Sequence, residues 1–175
     1  MRRILVLGAG HSSSYLITDL LRRAVEGGWI VAVADRDPDL AVSRLGGHPR
    51  GEAVALDARA EGRLAAHLEG ADLVVNLLPP GLQSEIAREC LRRGRPMISA
   101  SCATPEIRPL SRPARDVGVM LLMEAGLDPG IDHMATMSLV DRVHAEGGVV
   151  EAFESYGSGV PAPDSISNPL AYVVT

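Results

Sequence analysis

Lysine is absent from this 175-residue chain, because all 17 of its basic residues are arginine. No lysine in this chain can therefore form a Schiff base, bind phosphate through its ammonium group or act as a general base. Cysteine is also scarce: the two that occur, Cys90 and Cys102, lack the spacing of a metal site. We expect two free thiols and no metal centre.

Excess positive charge and long apolar runs are missing as well. The formal net charge of −5 argues against nucleic acid or an anionic membrane as the main partner. No apolar run in the sequence is long enough to span a bilayer. The N-terminal MRRILVLGAG has arginines and a short apolar run, but a polar HSSS follows and no cleavage site ends it. We therefore expect a cytoplasmic protein.

Apolar, strand-like segments alternate with segments of helical periodicity over most of the chain. The predicted strands are residues 3–8, 29–35, 52–57, 71–80, 96–101 and 119–124. The predicted helices are residues 13–28, 38–47, 60–70, 81–94 and, irregularly because of two prolines, 106–118. Such alternation predicts an α/β fold with a doubly wound parallel sheet, the Rossmann arrangement that binds NAD(P).

The pattern changes near the C-terminal end. A helix is predicted over 131–148, an exposed, alternating strand over 149–159, a loop over 160–169 and the start of another strand over 170–175. We therefore predict two domains. Residues 1–148 form a dinucleotide-binding Rossmann domain, and residues 149–175 begin an α+β substrate and dimerisation domain that is incomplete here.

A glycine-rich turn, LGAGHSSSYL, lies between the first predicted strand and the first predicted helix. Gly8 and Gly10 allow a tight turn and a close approach of a pyrophosphate, which the free N–H groups at the helix start would bind. The third position of the G-x-G-x-x-G pattern is Ser13, whose hydroxyl can face a phosphate. The cofactor-binding residues predicted in this loop are Gly8, Ala9, Gly10, His11, Ser12 and Ser13.

The ends of the second and third strands carry charged residues that bear on the choice of cofactor. Asp35 can accept hydrogen bonds from the adenosine ribose hydroxyls, which favours NAD. Arg36 can instead bind a 2′-phosphate, which favours NADP, so the sequence leaves this choice open. Asp57 either flanks the adenine ring or is an ordinary loop aspartate.

Further candidates lie at the later strand ends, since ligands of open α/β sheets bind outside the carboxyl ends of the strands. Leu78, in NLLPP, would pass beside the ribose on the nicotinamide side. In GLDPGIDH, Asp128 can accept hydrogen bonds from a substrate ammonium and stabilise positive charge. His133 is a candidate general base, although a lone histidine is more often structural, and Asp132 is more typical of a helix cap.

The segments MEAGLDPGIDHM and ESYGSGVPAPDSISNPLAYVVT resemble the L-glutamate-forming saccharopine dehydrogenases, or saccharopine reductases. In that family N-E-I-G-L-D-P-G-I-D-H precedes S-Y-C-G-G-L-P-A-P-E and N-P-L-G-Y, and VLGAG, VVNLLPP and SAS…TPE occur in the same order. The resemblance implies an NAD- or NADP-dependent oxidoreductase of lysine metabolism. It would oxidise the CH–NH group of saccharopine to give glutamate and 2-aminoadipate 6-semialdehyde, or catalyse the reverse reductive condensation.

The resemblance also implies roles for single residues and partners. Cys102 and Ala103 would border the substrate, a small amino acid, and the full-length protein would be a homodimer. Contacts with the cofactor are implied for Ala100, Ser101, Cys102, Leu127 and Gly130. Asp128 and His133 are the candidate catalytic residues, and Asp128 is also a candidate for substrate binding.

The chain departs from the family pattern at several points. Fungal members carry Cys-Arg-Thr in place of Asp35-Arg36-Asp37, and the family has a tyrosine in place of Cys102. Family members also continue well beyond this length. Two alternatives stay open: a related oxidoreductase such as carboxynorspermidine dehydrogenase, and a non-catalytic Rossmann module that senses NAD.

Overall fold

The computed structural model describes residues 1–60 and 62–156. Within them, a sheet is formed by β1 (Arg2–Leu7), β2 (Trp29–Asp35), β3 (Gly51–Ala55), β4 (Leu73–Asn76), β5 (Met97–Ser99) and β6 (Leu121–Leu122). The helices are α1 (Ser14–Gly27), α2 (Pro38–Leu45), α3 (Arg63–Glu69), α4 (Pro80–Arg92), α5 (Ser111–Asp116) and α6 (Ile131–Ala145). Each strand and helix predicted between residues 3 and 148 has a counterpart, although β4, β5 and β6 are shorter than predicted.

The sheet has the strand order β3-β2-β1-β4-β5-β6, and all of its strand pairs are parallel. The chain therefore reverses direction across the sheet between β1 and β4, as in a doubly wound dinucleotide-binding fold. This confirms the predicted fold class. Ligands of this architecture bind beyond the carboxyl ends of the strands at the reversal, where the loops after β1 and β4 meet.

The central strands β1, β2 and β4 are buried on both faces of the sheet. Successive side chains of a strand point to opposite sides, so one strand contributes to two hydrophobic clusters. In β1, Leu5 and Leu7 belong to one hydrophobic cluster, which also contains Ile86 from α4. Ile4 and Val6 belong to a second cluster, which contains Ile17 from α1. Helices on both faces explain why these central strands are apolar at successive positions rather than at alternate ones.

Local sequence signals set the ends of the helices. Asp37 caps α2, since its side chain accepts the N–H groups of Asp39 and Leu40, and Pro38 occupies the first position. Asp37 is therefore the N-cap of α2. Gly28 is the C-cap of α1, and its φ of 69° places it in the left-handed region that favours glycine.

The C-terminal part forms a separate unit that begins at His133, whereas Met1–Asp132 form the first. The strand predicted over 149–159 is wrong for residues 149–156, which contain no strand. Alternation of apolar and polar residues gives a segment one apolar face. A strand also needs a neighbouring strand for its backbone hydrogen bonds, and residues 149–156 have none in the described part of the chain. The predicted loop 160–169 and strand 170–175 lie outside the described residues. The domain boundary at 148/149 stays a prediction.

No helix among the described residues combines the length and the apolar character that crossing a membrane requires.

Candidate functional site

The loop after β1 has the shape of a phosphate-binding turn. Gly8 has a φ of +101°, and a Cβ there would lie 3.3 Å from the carbonyl oxygen of Leu77, so a side chain would be both strained and crowded. A Cβ on Gly10 would meet no atom within 4 Å, which leaves open space above the loop. A 3-10 turn over His11–Ser13 then leads into α1. The first N–H groups of such a helix start have no intrahelical acceptor and are available to an anion.

Ser13 differs from the expectation for its hydroxyl. The residue is fully buried, and its Oγ atom donates a hydrogen bond to the carbonyl oxygen of Gly10 at 2.7 Å. The backbone N–H of Ser13 reaches the same oxygen at 3.2 Å. Ser13 therefore closes the turn from within the protein instead of facing a phosphate.

A cleft of about 580 Å³ lies beside this loop, at the carboxyl ends of β1 to β4. It is lined by several of the predicted cofactor-binding residues, namely Gly8, Gly10, Asp35, Arg36, Asp57 and Leu78. Leu40, Leu56 and Leu82 supply apolar wall between the charged groups. Apolar walls, carboxylates, arginines and a helix start together fit the adenosine and pyrophosphate parts of a dinucleotide.

Asp35 contributes both of its carboxylate oxygens to the backbone around the cleft. Its Oδ2 atom accepts the N–H of Ala9 at 2.7 Å, and its Oδ1 atom accepts the N–H of Asp37 at 3.0 Å. The residue thus joins the phosphate loop to the turn before α2. Arg36, by contrast, is exposed at the rim of the cleft.

A buried polar network fixes the ends of β4 and β5, which follow next along the sheet. The Oε1 atom of Gln83, on α4, accepts hydrogen bonds from Asn76 Nδ2 at 2.9 Å and from Ser99 Oγ at 2.8 Å. The Nε2 atom of Gln83 donates to the carbonyl oxygen of Leu78 at 2.6 Å. Asn76, Gln83 and Ser99 are completely buried, so this network determines where the two strand-end loops leave the sheet.

The loops after β5 and β6 are joined by Glu124. Its Oε1 atom accepts the N–H of Ala103 at 3.0 Å, and its own N–H reaches the carbonyl oxygen of Ser101 at 3.0 Å. Glu124 has a φ of 63°, an unfavourable left-handed conformation for a residue with a side chain. Such strain needs support from its surroundings, and the two hydrogen bonds provide it.

The GLDPG loop after β6 packs against the loop after β5. A Cβ on Gly126 would lie 3.1 Å from the Cβ of Ala100, and the N–H of Gly126 bonds to the carbonyl oxygen of Pro129 at 3.0 Å. Leu127 and Asp128 are exposed on this loop. The structure thus brings together the predicted residues of the two loops, Ala100, Ser101, Cys102, Ala103, Leu127, Asp128 and Gly130.

The two remaining charged or titratable residues of the GLDPGIDH segment, Asp132 and His133, lie on α6. Asp132 is in the first turn, and its Oδ1 atom accepts the N–H of Gly130 at 2.7 Å, which suits a residue that stabilises a helix start. His133 follows in the same turn and is the first residue of the second unit. Its catalytic role stays a prediction.

Two models of known protein domains match this chain. Residues 4–122 match the family model described as the saccharopine dehydrogenase NADP binding domain, and residues 126–175 match that of the saccharopine dehydrogenase C-terminal domain. The chain belongs to the saccharopine dehydrogenase family. Membership confirms the resemblance drawn from GLDPGIDH, and it confirms a nicotinamide dinucleotide, NAD or NADP, as the cofactor class.

Individual members of the saccharopine dehydrogenase family match along nearly the whole chain. The saccharopine dehydrogenase (NADP(+), L-glutamate-forming) of Pyricularia oryzae is 32% identical over 98% of this chain and 37% of its own length. The mitochondrial alpha-aminoadipic semialdehyde synthase of Bos taurus is 34% identical over 98% of this chain and 18% of its own length. The chain thus spans well under half of these relatives.

A solved structure supports the same assignment. The apo saccharopine dehydrogenase (L-Glu forming) from Saccharomyces cerevisiae superposes with a TM-score of 0.82 at 30% identity, covering 97% of this chain and 37% of that one.

Two residues of this saccharopine dehydrogenase family site were not singled out from the sequence. Gln83 shares the buried face of α4 with Ile86, Ala87 and Cys90, and this helical spacing was a signal that position 83 points inward. Glu124 directly precedes the GLDPG segment, but its contact with Ala103 depends on the approach of two loops that no sequence period reveals.

Proposed function

We propose that this chain forms the cofactor-binding half of an NADP-dependent saccharopine dehydrogenase of the L-glutamate-forming type. The observation that carries the proposal is the cleft at the ends of β1 to β4, where an open glycine loop meets a helix start, carboxylates and arginines. A bound nicotinamide would supply or accept a hydride. The residues of this chain would hold the dinucleotide and set the orientation between its ring and the substrate.

The preference for NADP rests on how the charged residues of the cleft are used. Both carboxylate oxygens of Asp35 already accept backbone N–H groups, which leaves less of its acceptor capacity for the ribose hydroxyls of NAD. Arg36 and Arg59 are exposed at the rim of the same cleft. Guanidinium groups suit the 2′-phosphate that distinguishes NADP from NAD.

The substrate half of the proposal concerns the loops after β5 and β6. Cys102 and Ala103 would border saccharopine, and the exposed carboxylate of Asp128 would stabilise positive charge at the substrate nitrogen. His133 would serve as the base for the addition of water. The products of oxidation would be glutamate and 2-aminoadipate 6-semialdehyde, and the reverse reaction would be a reductive condensation.

A homodimeric assembly and a cytoplasmic location complete the proposal, and they rest on the family resemblance and the sequence alone. Carboxynorspermidine dehydrogenase activity and a non-catalytic sensing role are the alternatives. The match of residues 126–175 to the C-terminal domain of the family favours an enzyme over a sensing module.

Calorimetric titration with NADPH and NADH tests the cofactor assignment. We expect tighter binding of NADPH, and we expect Arg36→Ala and Arg59→Ala to reduce that preference, whereas Arg112→Ala on exposed α5 leaves it unchanged. Tighter binding of NADH would overturn the choice of NADP, and binding of neither would overturn the nucleotide site. Saccharopine-dependent reduction of NADP+, measured by absorbance, tests the reaction. Carboxynorspermidine is assayed in the same way as the alternative substrate.

A further inference from the structure

Arg44, in the last turn of α2, reaches across to the phosphate loop. Its Nε atom donates to the carbonyl oxygen of Ala9 at 2.9 Å, and its Nη2 atom approaches the carbonyl oxygen of Gly10 at 3.4 Å. Asp37 caps the start of the same helix, next to Asp35. The β2–α2 unit therefore contacts the phosphate loop at two points, through Asp35 and through Arg44.

These contacts set the direction of consecutive peptide groups. The C=O and N–H of a trans peptide point in opposite directions, so holding one fixes the other. When Arg44 holds the carbonyl groups of Ala9 and Gly10, the N–H groups of Gly10 and His11 are directed to the opposite side. Asp35 turns the preceding N–H, that of Ala9, towards β2.

A loop of this composition needs such support. Gly8 and Gly10 permit many backbone conformations, so the loop has little intrinsic preference for the one that binds an anion. Ordering it at the moment of binding would reduce affinity, whereas a loop held beforehand avoids that loss. Gly10 also has Ser13 as a donor to its carbonyl oxygen, so the effect of Arg44 falls chiefly on Ala9.

We propose that Arg44 is a positioning residue that orients the phosphate loop for the cofactor pyrophosphate, by binding the carbonyl groups of Ala9 and Gly10. The inference rests on the proposed nucleotide-binding function. It assigns Arg44 a role through hydrogen bonds to the backbone, not through its charge alone.

Two substitutions separate hydrogen bonding from charge. Arg44→Met has a similar length but no donor, whereas Arg44→Gln places an uncharged N–H donor at the same number of bonds from Cα as the arginine Nε. Arg112→Met, on exposed α5, is the matched control. Affinities for NADPH and for 2′-AMP are measured by calorimetry, because 2′-AMP fills the adenosine end but lacks the pyrophosphate.

We expect Arg44→Met to weaken NADPH about tenfold and Arg44→Gln no more than about threefold, while 2′-AMP binds every variant within about twofold of the parent. Retained binding of 2′-AMP also demonstrates that each variant is folded. Equal losses in the Met and Gln variants would overturn the inference, since charge would then be responsible. A parallel loss of 2′-AMP, or no loss of NADPH, would overturn it too. Failure of the parent chain to bind NADPH would instead overturn the proposed function, and this inference with it.

Discussion

Asp35 holds the phosphate loop directly, through a 2.7 Å hydrogen bond from the N–H of Ala9 to its Oδ2 atom. The acidic residue at the end of β2 is usually considered for its contact with the adenosine ribose. Here the same side chain also fixes the loop that faces the pyrophosphate, since Ala9 lies between the two glycines of the turn. In the proposed site, one carboxylate would therefore serve both the ribose and the loop that faces the pyrophosphate.

Substitution of Asp35 is predicted to separate these two roles. Asp35→Ala removes the acceptor for Ala9, so we expect NADH and NADPH both to bind about tenfold more weakly. Asp35→Asn keeps one oxygen acceptor for the loop and removes negative charge near the 2′-phosphate site, so NADPH affinity should be retained. NADH affinity should fall, because the carboxylate that would bind its ribose hydroxyls is lost. Calorimetric titration of both cofactors measures the effect. A loss in Asp35→Ala confined to NADH would show that the residue serves the ribose alone.

The buried network around Gln83 is predicted to contribute strongly to stability. Gln83→Leu leaves Asn76 Nδ2, Ser99 Oγ and the carbonyl oxygen of Leu78 without this partner, and should lower the free energy of unfolding by about 3 kcal/mol. Urea denaturation measures the change.

Two controls calibrate the result for Gln83. Ser99→Ala removes one member of the network, so it should cost about 1 kcal/mol. Glu85→Ala, on the exposed face of α4, should stay within about 0.5 kcal/mol of the parent. A change in Gln83→Leu no larger than that of Glu85→Ala would mean that water replaces the missing hydrogen bonds.

The fold was predictable because its signals are local. The apolar run 29–35 is bounded by glycine and by charged residues, and β2 occupies that span in the structure. Asp37 and Pro38 mark the start of α2 in the same way. The strand predicted over 71–80 extends beyond the observed end of β4 at Asn76. The side chain of Asn76 accepts the N–H of Leu78, and the prolines that follow have no N–H to donate to a neighbouring strand.

The polar contacts within the site were not predictable, because they join residues that lie far apart in sequence. Ser99 meets Gln83 across 16 residues, Ala9 meets Asp35 across 26, and Arg44 meets Ala9 across 35. Periodicity indicates which positions are buried but not which polar partners satisfy them. The sequence therefore located the ligand-facing edge and most of its residues, and the structure supplied the contacts that hold them.

The two cysteines are predicted to react very differently. Burial raises the pKa of the Cys90 thiol to about 12, because the thiolate loses its solvation, whereas Cys102 is exposed at the end of β5. A colorimetric thiol reagent should therefore modify one cysteine in the folded chain between pH 7 and pH 9, and both in urea. Cys102→Ser should abolish the fast reaction. Rapid modification of Cys90 in folded Cys102→Ser would contradict the burial of this thiol.

Gly130 is predicted to tolerate no side chain. Its φ is +145°, and a Cβ there would lie 2.7 Å from the carbonyl oxygen of Glu124 and in contact with the backbone of Gly126. Because backbone atoms cannot move aside as a flexible side chain can, Gly130→Ala should lower the free energy of unfolding by about 3 kcal/mol or more.

Gly118→Ala provides the matched control for Gly130. Gly118 has a φ of +70°, and no atom lies within 4 Å of the position that a Cβ would take, so the substitution introduces left-handed strain without a clash and should cost about 1 kcal/mol. Urea denaturation of both variants separates strain from steric overlap. Equal losses of stability would mean that the GLDPG loop rearranges around the new methyl group. In that case NADPH affinity would fall in Gly130→Ala but not in Gly118→Ala, because the GLDPG loop packs against Ala100 at the ligand-facing edge.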